Sequence, residues 1–253
     1  GNAAIDKIRQ WLILQKEAEN WGTSITTTDA IASILNTGSR WTVPATGTDI
    51  SLGGLRLSPA TATDSLTGYT TMQLNEASGK TLTIARQASG PAWGAVYSRF
   101  AQTSYEVKAA GCDAVKIDKR LLVARNSPDG VEWHEIKKNT ALKVGDRVKV
   151  MLTVSSTRDM DYVAIVDERA AALEPVEQTP APIFSEGLYF YRENRDANTR
   201  IMIDHMPKGT YLLSYEMWVN NAGQFSSGVA SLQSQYAPQL AAHSSGSLIS
   251  VSE

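Results

Sequence analysis

The spacing of apolar residues changes once along the chain. In residues 3–22, AAIDKIRQWLILQKEAENWG, the positions Ile5, Ile8, Trp11, Leu12 and Gln15 fall on one side and most charges on the others. That is the period of a helix, and Gly22 is a natural stop. Residues 26–38, TTTDAIASILNTG, open on Thr and Asp at a capping position and end on Gly38, which predicts a second short helix. Together they predict an αα-hairpin. Two such helices cannot bury both apolar faces by themselves, so they read as the end of a larger helical domain. Past Trp41 the period drops to two. Thr, Gly and Ser become frequent, and short alternating stretches predict strands near 48–57, 69–75, 80–86, 92–99, 103–109, 114–124, 131–137, 147–155, 161–168, 187–193, 199–205, 209–219, 223–231 and 246–252. SPDG at 127–130 and MPKG at 206–209 read as hairpin turns. EPVEQTPAPIF at 174–184, with three prolines, reads as a loop. Many short strands at this spacing predict β-sandwich architecture, with a candidate boundary at Gly90–Pro91.

One strand raises a chemical question. Asp161 and Asp167 bracket the apolar run from Tyr162 to Val166. Along a strand they lie about 20 Å apart, whereas paired-carboxylate catalysis needs about 5–9.5 Å. They cannot form a dyad within the strand. The reading is a central strand, covered on both faces, with charged ends.

Composition narrows the field. The chain has 253 residues, 42% hydrophobic and 20% charged, with a net charge of −2, so it can build a real core and is not a disordered chain. No basic block points to nucleic acid, and no apolar run has the ~18 residues of a membrane span. Starting at Gly1 instead of Met suggests a piece of something longer. Cys112 is the single cysteine, which excludes an internal disulfide.

Catalytic motifs are not found. SGKT at 78–81 has Leu74 where a phosphate loop needs its first Gly, and HEIKK at 134–138 has no second His. His134, His205 and His243 are scattered, and His205, after Asp204, reads as a hydrogen-bonded surface histidine. RENRDANTR at 192–200 mixes charge signs as a solvated hairpin does. No metal, cofactor or catalytic residue is expected.

A family resemblance goes further. Residues 143–176 and 189–238 resemble the C-terminal macroglobulin domain of bacterial alpha-2-macroglobulins, through Gly145–Asp146, Arg158–Tyr162, Glu174–Pro175, Tyr191–Arg195, Asp204, Pro207–Tyr211, Gly223–Phe225 and Gln233–Pro238. WLILQKEAENWGTSITTTDAIASIL resembles the last helical hairpin of the family's thioester-type α/α-toroid. The resemblance implies a mainly β fold, with macroglobulin-like β-sandwich domains preceded by an αα-hairpin from a truncated toroid. Its divisions would be the hairpin at 1–42, a small CUB-like β segment at 43–92 and the terminal macroglobulin domain at 93–253. It implies a non-catalytic module of a protease-trapping inhibitor. In that family, bait cleavage triggers a rearrangement that cages the protease. The implied partners are proteases and other macroglobulin domains of the same chain, with no nucleic acid. The implied setting is periplasm or cell surface, with a membrane reached only through a lipoprotein anchor outside this chain. By motif match, Tyr236 in QSQYAP is the candidate thioester-shielding or interdomain-contact residue. Ile5, Ile8, Trp11 and Leu12 are the candidate surface against the rest of the toroid. Neither a bait segment nor a thioester motif stands in these residues, and Cys112 does not match one.

Two other readings stay open. A β-sandwich adhesion or carbohydrate-binding module would gather Trp93, Trp133 and Trp218 into an exposed patch, although tryptophans on strands are more often core. A hydrolase with a site built across domains would need a cluster of perturbed acids or histidines.

Overall fold

The structure, a computed structural model, describes residues 2–38, 48–57, 64, 69–73, 81–86, 93–97, 99, 101–137 and 140–253. The chain divides into two compact units, one of 1–16 with 21–97, the other of 17–20 with 98–253. The Gly90–Pro91 step and the SGK of 78–80 lie outside the described residues.

The first unit begins with helices α1 (Asn2–Ala18) and α2 (Ser24–Asn36). The second helix starts earlier than the Thr26–Asp29 stretch suggests. Thr23 is the cap, and its hydroxyl accepts from the Thr26 amide while the Thr26 side chain takes the Thr23 amide. This reciprocal box satisfies two of the free amides of the first turn. Gly22 and Gly38 hold the left-handed conformation expected of helix stops. A side chain on Gly38 would strike Asp6 and Arg9 of α1, so the two helices double back on each other. The other described elements of this unit are β1 (Thr48–Leu52), β2 (Leu55–Arg56) and β3 (Leu82–Arg86), an antiparallel sheet in the order β2-β1-β3. Residues 93–97, expected in a strand, form none.

The second unit carries the core. After a 3-10 turn at Ser104–Glu106 come β4 (Ala110–Gly111), β5 (Val115–Ser127), β6 (Gly130–Glu135), β7 (Leu142–Lys143), β8 (Arg147–Ser156) and β9 (Met160–Glu168). Then follow β10 (Leu173–Pro175), β11 (Ala181–Ser185), β12 (Leu188–Asn194), β13 (Asn198–Met206) and β14 (Gly209–Val219). The last four are β15 (Gly223–Ser226), β16 (Ala230–Ser234), β17 (Ala241–His243) and β18 (Leu248–Ser252). One sheet runs β10-β14-β8-β5-β6, a second β11-β12-β13-β9-β16-β17-β4, and a third, small one β15-β18-β7.

Alternation dictates the packing. Along β8, Val148, Val150, Leu152 and Val154 are buried while the residues between them are half-buried. On β14, Leu213, Met217 and Val219 point the same way, and on β9 and β13 so do Val163, Ile165, Ile201 and Ile203. Each such side chain removed from water is worth about 1.5–3 kcal/mol, and their single shared core makes this a mainly β sandwich.

Several expectations change. The 206–209 turn does not close a hairpin, because β13 and β14 lie in different sheets. It is a crossover, where Asp159 accepts from the Lys208 amide (2.6 Å) and the Tyr211 hydroxyl donates to the Pro207 carbonyl (2.9 Å). The proline-rich 174–184 stretch is not all loop. Pro175 and Pro182 lie on β10 and β11, which are edge strands where a missing N–H costs no ladder bond, and Pro180 lies between them. A tight Glu186–Gly187 turn, both residues at positive φ, then pairs β11 with β12. The expected 223–231 strand is split between two sheets at Ser227–Val229, and the expected 103–109 strand is the 3-10 turn.

Candidate functional site

The outer face of the seven-stranded sheet is the first place where function concentrates. Cross-strand register lines up Tyr191, Met202, Ala164, Gln233 and Ala241 across β12, β13, β9, β16 and β17. Ala164 and Val166 are only half-buried here, so the run from Tyr162 to Val166 is covered on one face, not on both. Small side chains leave a shallow trough of about 430 Å³ lined by Ala164, Val166, Ser231, Gln233, Gln235 and His243. Beside it Phe184, Tyr189, Tyr191 and Met202 are exposed.

At the trough's end stand two tyrosines. Tyr236 is 70% exposed and Tyr162 52%. Their rings meet edge to face with centroids 5.3 Å apart, a geometry aromatic quadrupoles favour. Tyr162 has φ 55, a left-handed backbone that costs an ordinary residue about 1–2 kcal/mol. The Gln235 amide donates to the Tyr162 carbonyl (2.9 Å), tying the two tyrosine segments together. Ala237 and Leu240, both buried, anchor the loop behind Tyr236. The residue named from the sequence is therefore an exposed loop tyrosine on a fixed base, and its pairing with Tyr162 is visible only in the structure.

The second site is inside. Asp167 is not a solvated strand end but fully buried. Lys119, whose side chain is 3% exposed, reaches it across the sandwich at 2.6 Å and also donates to the carbonyls of Glu168 (2.7 Å) and Ser227 (2.9 Å). The Tyr215 hydroxyl donates to the other Asp167 oxygen. Burial first, and then the Asp167 carboxylate, push the Tyr215 hydroxyl well above its ordinary pKa of 10.0. The signal was legible: Lys119 and Asp167 both occupy inward-facing positions of buried strands.

The remaining candidates are scattered. Ile5, Ile8 and Trp11 are exposed on α1 and Leu12 is half-buried. His205 is exposed and shares a hydrogen bond with Asp161 (2.7 Å). The 192–200 stretch is a hairpin, yet Arg192 and Thr199 are buried instead of solvated. Cys112 is a free, half-buried thiol. Trp133 and Trp218 are not core residues. They lie on the outer face of the five-stranded sheet, either side of Arg147, while Trp93 is exposed in the other unit. Among the described residues no group of three or more His, Cys, Asp or Glu could hold a metal, and no helix is long and apolar enough to cross a membrane.

Comparison with known proteins fits this sandwich. Residues 115–239, from β5 to just past Tyr236, match the family model described as the bacterial alpha-2-macroglobulin MG10 domain. Over those residues the chain belongs to the bacterial alpha-2-macroglobulin family. No curated protein matches the chain. Among solved structures, trypsin-activated alpha-2-macroglobulin from Escherichia coli is 15% identical with a TM-score of 0.50, and the match covers 95% of this chain and 16% of that one. A Salmonella alpha-2-macroglobulin mutant is 21% identical with a TM-score of 0.48, over 93% of this chain and 15% of that one. The Salmonella protein reacted with methylamine is 20% identical with a TM-score of 0.47, over the same shares. At these identities the likeness is one of fold, and the chain spans about a sixth of the length of those alpha-2-macroglobulins.

Proposed function

We propose that this chain is a non-catalytic C-terminal module of a protease-trapping inhibitor, and that Tyr236, held by Tyr162, covers a reactive or contact point on a neighbouring helical domain of the same protein. Family membership over 115–239 supports the inhibitor reading. The observation that carries the contact role is the tyrosine pair. Two large rings are left in water beside an apolar sheet face, and one stands on a backbone conformation that costs energy. A protein keeps such strain where a surface has a task.

On this reading proteases are the partners of the whole protein, and the exposed Ile5, Ile8 and Trp11 face the rest of a helical toroid. The protein works in the periplasm or at the cell surface, anchored as a lipoprotein.

The test uses the full protein, with wild type compared against Tyr236→Ala. A thioester under Tyr236 reacts with methylamine faster in the variant, and protease capture falls as the thioester is spent early. Unchanged methylamine reactivity and unchanged capture would remove Tyr236 from the mechanism.

A further inference from the structure

Among the described residues the two large sheets have four edge strands, and one is unlike the others. β10 has three residues and ends in Pro175, β11 carries Pro182, and β4 has two residues. Short length, proline and charged side chains are ordinary means of stopping an edge from pairing with a stray strand. β6 has neither of the first two, and its acidic side chains are Glu132 and Glu135. It is six residues long, GVEWHE, and all but Trp133 are exposed.

Its register shows which backbone groups are free. The Ile136 amide donates to the Leu121 carbonyl (2.8 Å), directly opposite in the β5–β6 ladder. In an antiparallel pair the bonded positions alternate. His134, Glu132 and Gly130 therefore bond to β5, and the N–H and C=O groups of Val131, Trp133 and Glu135 point to the open side. The side chains of those same three residues stand on the outer face of the sheet.

A cationic cluster waits beside them. The Lys149 ammonium lies 4.1 Å from the centre of the Trp133 ring, and the Arg147 guanidinium lies 5.8 Å from both the Trp133 and Trp218 rings. Glu216 is the carboxylate these two cations share, at 2.5 Å from Arg147 and 3.7 Å from Lys149. Two positive charges thus meet one negative charge. Among the described residues Lys149 makes no hydrogen bond, and the Arg147 Nε, shielded from water, has no acceptor. Ammonium and guanidinium groups carry only donors, and among the described residues Glu135, on the same face, makes no ion pair with either cation, so Lys149 can take a further acceptor.

We propose that β6 is an acceptor edge for an extended acidic segment of a partner protein. The segment adds as a sixth strand along Val131–Glu135, bonding the three free backbone positions, and an acidic side chain on the outer face accepts from Lys149 above Trp133. Backbone pairing supplies affinity and the carboxylate selects the sequence, as in strand addition generally. Neither the tyrosine pair nor the Lys119–Asp167 network takes part, so this surface stands apart from the contact role assigned to Tyr236.

The test titrates the chain with a short peptide of alternating glutamate and valine, and in parallel with its lysine–valine counterpart. Binding is followed by calorimetry and by hydrogen exchange of individual amides. The acidic peptide binds, more weakly as salt is added. It protects the amides of Val131, Trp133 and Glu135 and leaves those of Glu132 and His134 as they were. Lys149→Glu weakens it several-fold. Val131→Pro, which deletes an open-side N–H at an edge, abolishes the protection. Equal binding of the basic peptide, protection elsewhere, or binding that survives both substitutions would overturn the proposal. So would binding of polygalacturonate, an anionic sugar chain, in place of the peptide, or dimerisation through β6 with no peptide present.

Discussion

Asp167→Ala is the sharpest test of how the sandwich is held. Asp167 is fully buried, and the Lys119 side chain that meets it at 2.6 Å is 3% exposed. Removing the carboxylate leaves an ammonium with two backbone carbonyls and no counter-charge, which costs about 3–5 kcal/mol. The Tyr215 hydroxyl loses its acceptor as well. That loss alone would be about 1–3 kcal/mol, but the groups share one network and the costs do not add. A net loss near the upper end of the first range is expected. For a unit of this size each kcal/mol lowers the melting temperature by about 2–4 °C, so the fall is on the order of 10 °C. Scanning calorimetry reads it. The double variant Lys119→Met with Asp167→Leu has no charge left to strand and recovers most of the loss. A single variant that melts within about 2 °C of wild type, or a double variant no better than the single one, would refute the ion-pair argument.

Tyr215→Phe should separate from wild type in alkali. The folded-state pKa of Tyr215 is raised, so its stabilisation is whole below 10.0 and is lost as pH climbs from there through the folded value. Urea midpoints above pH 10.0 should fall more steeply in wild type than in the variant, and parallel curves would contradict this. Gly228→Ala should destabilise by at least about 2 kcal/mol, because its φ is +72 and the new Cβ would lie 2.1 Å from the Glu168 carbonyl that also receives Lys119. Equilibrium unfolding checks it, and a neutral result would mean the 227–229 crossover relaxes freely. Tyr162→Gly should be neutral or stabilising by about 1 kcal/mol despite the lost ring, since Gly takes positive φ at no cost. A clear loss in the same measurement would show that the ring packs more than its exposure implies.

How much of this was legible follows from what each signal measures. Period-two alternation marked β8, β9 and β14 because their inner faces are unmixed, as in Val148, Val150, Leu152 and Val154. It could not say which sheet a strand joins, so the 206–209 crossover looked like a hairpin. Proline signalled loop at 174–184 because edge position, which makes proline harmless, is a property of the sheet and not of the segment. Charge signalled surface at Asp167, although Lys119 at a matching inward position was in view; pairing them needed the two strands face to face. The tryptophans misled for the opposite reason. Trp133 and Trp218 pack on cations outside the core, and nothing in one strand's pattern separates that from burial. Tyr236 was named by motif, but Tyr162 depends on a backbone angle that no residue type announces.

The measurement closest to the central claim is made on the full protein that carries this module. It is treated with a panel of proteases, and its dimensions are followed by small-angle scattering while bound protease is assayed. The account predicts cleavage at one exposed segment, then compaction, with the protease retained. Cleavage with no compaction and no retained protease would contradict it and leave a sandwich that shares the family's fold without its trap.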